Sequence, residues 1–182
     1  SNDVDENFAR ACVERHFLKR LVALLRSPDS RERGYVKTIV HRFYVLMVTR
    51  RRFLRTVIGE LFLEEAFDVY EGRAGRADGI KEALEIFGCS IIPGLSTPLK
   101  AEHRTFLSRF IMPLHQSPAL ASFQAELITC LKAFLEREPM VLGDVVTGMR
   151  RWWNHHDARL GIAMLDELED LFPCITPENF RE

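Results

Sequence analysis

Apolar residues recur at steps of three and four along nearly the whole chain, and no segment shows the alternation of a half-buried strand. The pattern predicts helices near 6–26, 30–48, 50–69, 78–92, 98–114, 118–136, 140–153 and 157–171, with a further start at 177. The second of these carries the most information. Tyr35, Val36, Ile39, Val40, Phe43 and Met47 make one apolar stripe, while Thr38, His41 and Arg42 share another face with Tyr44 at its border. An ordinary solvated face would be mostly Lys and Glu. A hydroxyl, an imidazole, a guanidinium and a phenol form a set suited to gripping a peptide or an anion.

Punctuation between the periodic stretches supports the same reading. Thr97-Pro98, Ser117-Pro118 and Thr176-Pro177 each place a capping hydroxyl before a proline at the first helical position, where a missing N–H costs nothing. Capping is favoured over phosphorylation at these pairs. Ser30 is a plausible cap after the Ser27-Pro28-Asp29 turn, Gly72 and Gly75 mark a loop, and Pro93-Gly94 and Pro173 mark helix ends. Short connections between helices of 15–20 residues imply antiparallel pairs of about 40 residues each, the length of a HEAT-type repeat. The expectation is an all-α protein, an α-solenoid of HEAT-like antiparallel helix pairs forming a single unit over 1–182. Ile175 to Glu182 begin a helix and stop, which suggests a portion of something longer.

Composition narrows the function classes. Lys plus Arg total 25 against 26 Asp plus Glu, so nothing global attracts nucleic acid or an anionic membrane. No apolar run approaches the roughly 20 residues that cross a bilayer, and no signal peptide leads the chain. Cys12, Cys89, Cys130 and Cys174 are scattered in apolar contexts without a C-x-x-C, as structural thiols are, pointing to a reducing compartment and an intracellular protein. Six histidines include no H-E-x-x-H, and the adjacent His155 and His156 lack a third ligand at useful spacing. Neither a phosphate-cradling loop nor a nucleophile elbow is present. No metal, cofactor or catalytic residue is expected.

Three clusters remain. Arg50-Arg51-Arg52 with Arg55 places cations at a helix start, against the macrodipole, which hints at a negative partner. Trp152-Trp153 reads as core with a partly exposed neighbour. Lys100 and His103 lie three apart on a first helical turn, and Glu85 reads as a surface charge beside buried Leu84 and Phe87.

Taken in order, these pieces resemble the regulatory B-prime subunit family of protein phosphatase 2A. The matching residues are Arg31-Glu32-Arg33 through Lys37-Thr38, Val40-His41-Arg42-Phe43-Tyr44, Leu84-Glu85-Ile86-Phe87-Gly88 and Ser90-Ile91-Ile92. They continue with Pro98-Leu99-Lys100-Ala101-Glu102-His103 and Ile175-Thr176-Pro177-Glu178-Asn179-Phe180. The resemblance covers nearly the whole chain from about Leu21.

It implies a HEAT-like solenoid, a middle portion of a non-enzymatic regulatory subunit, that selects substrates for a phosphatase holoenzyme by binding Leu-x-x-Ile-x-Glu motifs between repeats. The implied groove comprises Thr38, His41, Arg42, Tyr44, Arg51, Glu85, Ile86, Ile91, Lys100 and His103. Ile86, Ile91 and the Tyr44 ring would take the apolar anchors; Arg42, Arg51, Lys100 and His103 would take the acidic one, and Glu85 a peptide N–H. The implied partners are the phosphatase 2A catalytic and scaffold subunits and proteins carrying the motif, in cytoplasm or nucleus, with no membrane. The stretch Gly88-Cys89-Ser90-Ile91 is one residue longer than the family pattern, an insertion able to rotate Ile91 away from its socket. The loop around Gly72 to Gly75 is also longer, and Arg50 and Arg52 add charge. The alternatives are a helical-repeat scaffold that has lost motif binding and, less favoured, a nucleic-acid-binding helical repeat resting on Arg50 to Arg55.

Overall fold

A computed structural model describes residues 13–67 and 77–174. The expected loop at Gly72 and Gly75, the helix start at 177 and Cys12 lie outside them. The described residues form eight α-helices: α1 (Arg15–Ala23), α2 (Ser30–Leu46), α3 (Arg51–Phe67), α4 (Ile80–Ile86), α5 (Ala101–Phe106), α6 (Gln124–Arg137), α7 (Leu142–Trp152) and α8 (Ala158–Leu171). No strand occurs among them.

The helices alternate between two layers. α2, α4, α6 and α8 pack side by side in one; α1, α3, α5 with its continuing turns, and α7 form the other. This is the stacking of an α-solenoid, each hairpin burying its stripe against its neighbours. Between the layers run the fully buried Phe62, Phe87, Phe123 and Phe134. Phe87 stacks on Phe106 with ring centroids 4.7 Å apart, and Phe62 tilts onto Phe87 at 5.7 Å. No helix of the described residues is long and apolar enough to cross a membrane.

Several boundaries differ from the sequence expectation, each for a local reason. α2 is capped by Asp29 rather than Ser30: the Asp29 carboxylate accepts the Arg31 N–H at 2.9 Å, and Ser30 is already helical. Thr97 caps nothing. The Thr97–Pro98 bond is cis, Lys100 is extended, and α5 starts at Ala101. Ser117 does cap, accepting the Ala119 N–H at 3.1 Å, but only a 3-10 turn (Leu120–Ser122) follows, and α6 waits until Gln124.

α4 and α5 share a feature that helical periodicity does not announce. Each continues into a π turn, Phe87–Ile91 and Leu107–Ile111, and then a 3-10 turn containing Pro93 or Pro113. A proline inside a helix lacks the N–H and clashes with the carbonyl four residues back. Widening the preceding turn to a π turn moves that carbonyl aside while the chain keeps its direction.

Candidate functional site

The α2 face differs from the stripe read in the sequence. Val36, Val40, Tyr44 and Met47 are buried, whereas Tyr35 is 75% exposed and Ile39 is also exposed. Four-residue steps therefore carry the core contact, and Tyr44 belongs to it rather than to the polar border. The adjoining face of the same helix presents Lys37, Thr38 and His41 towards α4.

There, Lys37, Thr38 and His41 meet Glu85 and Ile86 of α4 and Cys89 and Ser90 of its π turn, enclosing a cavity of about 380 Å³. Lys37 Nζ donates to Glu85 Oε2 at 2.6 Å across it. Thr38 Oγ1 donates to the Gly34 carbonyl at 3.0 Å, which leaves the hydroxyl oxygen able to accept. Ile86, although buried, reaches the cavity wall.

Ile91 is not there. The π turn directs Ile91 wholly into the core at 0% exposure and gives the rim to Cys89 and Ser90. The socket expected from Ile91 is absent in this conformation. Cys89, read as a thiol in an apolar context, is exposed.

A second cluster begins one turn further along α2. The Tyr44 hydroxyl accepts from Arg55 Nη1 at 3.1 Å, and the Arg51 guanidinium lies 5.3 Å from the Tyr44 ring centroid. Arg51 also donates Nε to the Tyr44 carbonyl at 2.9 Å and Nη2 to that of Val45 at 3.1 Å. It is a cation closing the C-terminus of α2, which favours positive charge. Arg55 Nη2 reaches Glu102 at 3.2 Å, and Glu102 lies 3.3 Å from His103 Nε2. Arg52 Nε also lies 3.8 Å from Glu102 Oε2, so three guanidiniums of the basic run have internal partners.

His103 is buried, and its Nδ1 has no hydrogen-bond partner. Burial pushes its pKa below the ordinary histidine value, with the Arg55 and Lys100 charges acting the same way against Glu102. The imidazole is therefore neutral at physiological pH. Glu138 fixes the start of α5 by accepting the Leu99 N–H at 2.7 Å and pairing with Arg104. The Lys100 and Arg42 side chains are exposed, and no ion pair or side-chain hydrogen bond engages either among the described residues.

Of the ten expected positions, Thr38, His41, Glu85 and Ile86 share the cavity. Tyr44, Arg51 and His103 belong to the adjoining cluster, Arg42 and Lys100 stand exposed, and Ile91 is withdrawn. Lys37, Cys89 and Ser90 line the cavity unforeseen; Lys37 was visible one turn before His41 on the same helical face. No group of His, Cys, Asp and Glu able to hold a metal occurs among the described residues.

These features define a helical-repeat protein with an open, mixed apolar and cationic groove between neighbouring hairpins. Residues 1–182, the whole chain, match the family "Protein phosphatase 2A regulatory B subunit (B56 family)", and the chain belongs to it. It is 36% identical over 180 residues to the phosphatase 2A 56 kDa regulatory subunit delta isoform of Saccharomyces cerevisiae, covering 99% of this chain and 23% of that protein. The human alpha isoform is 33% identical over 182 residues, covering 100% of this chain and 36% of its own length. The rice B' kappa isoform is 32% identical, covering 100% and 34%. The chain thus spans about a quarter to a third of these relatives, all named as regulatory subunits.

Proposed function

We propose that this chain is the part of a phosphatase 2A regulatory subunit that recruits substrates by binding Leu-x-x-Ile-x-Glu segments in the α2–α4 groove. The observation that carries the reading is the cavity joining Thr38, His41, Glu85 and Ile86, with exposed Arg42 next to His41 along α2. Its apolar wall suits an aliphatic anchor, and Arg42 and Lys100 suit the peptide's carboxylate. The Lys37–Glu85 pair spans the cavity, so an entering peptide would exchange its own polar groups for this contact. The catalytic and scaffold subunits are the proposed further partners, in cytoplasm or nucleus.

Calorimetry with a Leu-x-x-Ile-x-Glu peptide tests this. Micromolar affinity is expected, weakened at least about tenfold by Arg42→Glu and by His41→Ala. Undetectable binding under conditions where the human alpha isoform binds would reject the role. A second reading, a scaffold of the same fold that has lost motif binding, is favoured by the withdrawal of Ile91. It predicts no peptide binding and an unchanged set of captured partners after both substitutions.

A further inference from the structure

A cavity of about 520 Å³ opens where the Gln116–Pro118 turn faces the segment from Arg151 to Leu160. It sits at the opposite end of the helices from the α2–α4 groove, in the connections α5–α6 and α7–α8. Trp152 and Trp153 wall it. Trp152 is braced edge-on by Phe67 with ring centroids 6.0 Å apart, and Trp153 rests against Gly161. Both indoles are half-buried, and no hydrogen bond engages either N–H among the described residues.

The polar lining consists mostly of donors lacking acceptors. Gln116 Nε2 is buried without a partner. Arg151 lies 5.2 Å from the Trp152 ring centroid and forms no ion pair among the described residues. His155 and His156 are exposed at the rim. Asp157 is the carboxylate of the lining, and it is already committed. It caps α8 by accepting the Arg159 N–H at 3.0 Å and pairs with the Arg159 side chain, which holds its carboxyl below the usual range. A ligand for this site must therefore bring acceptors and negative charge, together with a flat apolar ring for the indoles.

We propose that this cavity is a second peptide-docking site, which takes an extended acidic segment containing proline. Proline-rich strands present a rigid ring and outward carbonyls, and aromatic-lined grooves with N–H donors recognise that combination. Carbonyls would fall to Gln116 and the indole N–H groups; acidic side chains would fall to Arg151. Because the chain's net charge is −1, this positive edge is local and selects a short acidic segment over a long polyanion.

Trp152 and Trp153 are the two tryptophans of the chain, so indole emission reports on this cavity alone. Titrating the 182-residue chain with an acetylated peptide of alternating Glu and Pro is expected to change emission saturably, with Kd of about 10–100 μM. Arg151→Glu should weaken binding at least about tenfold, and Gln116→Leu by severalfold, with unaltered circular dichroism. His41→Ala should leave it unchanged, which separates this site from the groove. The proposal is overturned by unchanged emission at about 1 mM peptide, by equal binding of a Lys-Pro peptide, or by indifference to Arg151→Glu. Tighter binding of single-stranded oligothymidine with steep salt dependence would overturn it in favour of a nucleic-acid site.

Discussion

His115 and Glu167, both at 0% exposure, form an ion pair joining the turn after α5 to α8. His115 Nδ1 donates to the Met112 carbonyl at 2.7 Å, and Nε2 donates to the Glu167 carboxylate oxygens, each at 3.1 Å. With both nitrogens donating, the ring is an imidazolium. Burial alone would push its pKa down; the Glu167 charge and the hydrogen bonds outweigh it, and the net shift is upward. Replacing His115 with Leu strands a carboxylate that no solvent reaches. Breaking a buried pair in this way costs about 3–5 kcal/mol. With a urea m-value of about 2 kcal/mol/M, the unfolding midpoint should fall by roughly 1.5–2.5 M at pH 6. The double variant His115→Leu/Glu167→Leu removes both charges and should return to within about 1–2 kcal/mol of the parent, because apolar replacement of a whole pair is close to neutral. A folded pKa above the unfolded value of about 6.5 means the contribution is complete below that pH and fades as pH rises through the folded pKa. The gap between parent and Glu167→Gln should narrow in the same direction. A single-variant loss below about 1 kcal/mol, or a double variant as unstable as the sum of the singles, would refute the pair as described.

Three further outcomes are expected. Gly79→Ala should destabilise by about 3 kcal/mol in thermal or urea unfolding, since φ is +82° there and an added Cβ would sit 2.1 Å from the Leu25 carbonyl oxygen. Gly34→Ala, at a helical position with nothing within 4 Å, should instead stabilise by about 0.5–1 kcal/mol. Thiol labelling followed by peptide mapping should modify exposed Cys89 in the native state. Cys130 should react only after denaturation, because its thiol is buried, donates to the Leu84 carbonyl at 3.2 Å and is pushed up in pKa by burial.

The eight helices were legible because their apolar steps run long enough to average out local exceptions. What escaped the sequence was what the third dimension decides. Asp29 and Ser30 are both good caps by residue type, and only the path of the turn selects between them. Periodicity puts Tyr35 in the apolar stripe and Tyr44 at the polar border, yet Tyr44 is core and Tyr35 is solvated. Lys37–Glu85 and His115–Glu167 are separated by 48 and 52 residues, so no spacing rule joins them. The likeness to the family grouped Thr38, His41, Glu85 and Ile86, and these four line one cavity. Ile91, grouped with them by the same likeness, lies in the core at 0% exposure, because its direction is set by the π turn that carries it rather than by regular helical spacing.

The widened turn after α4 has a mechanical consequence. It acts as slack in the hairpin: one residue more is taken up within a single turn, and the segment beyond still seats Leu99 and Phe106 in the core. A residue gained or lost here would leave the phase of the later helices unchanged and alter only which side chains reach the lip of the neighbouring cavity, where Cys89 and Ser90 stand.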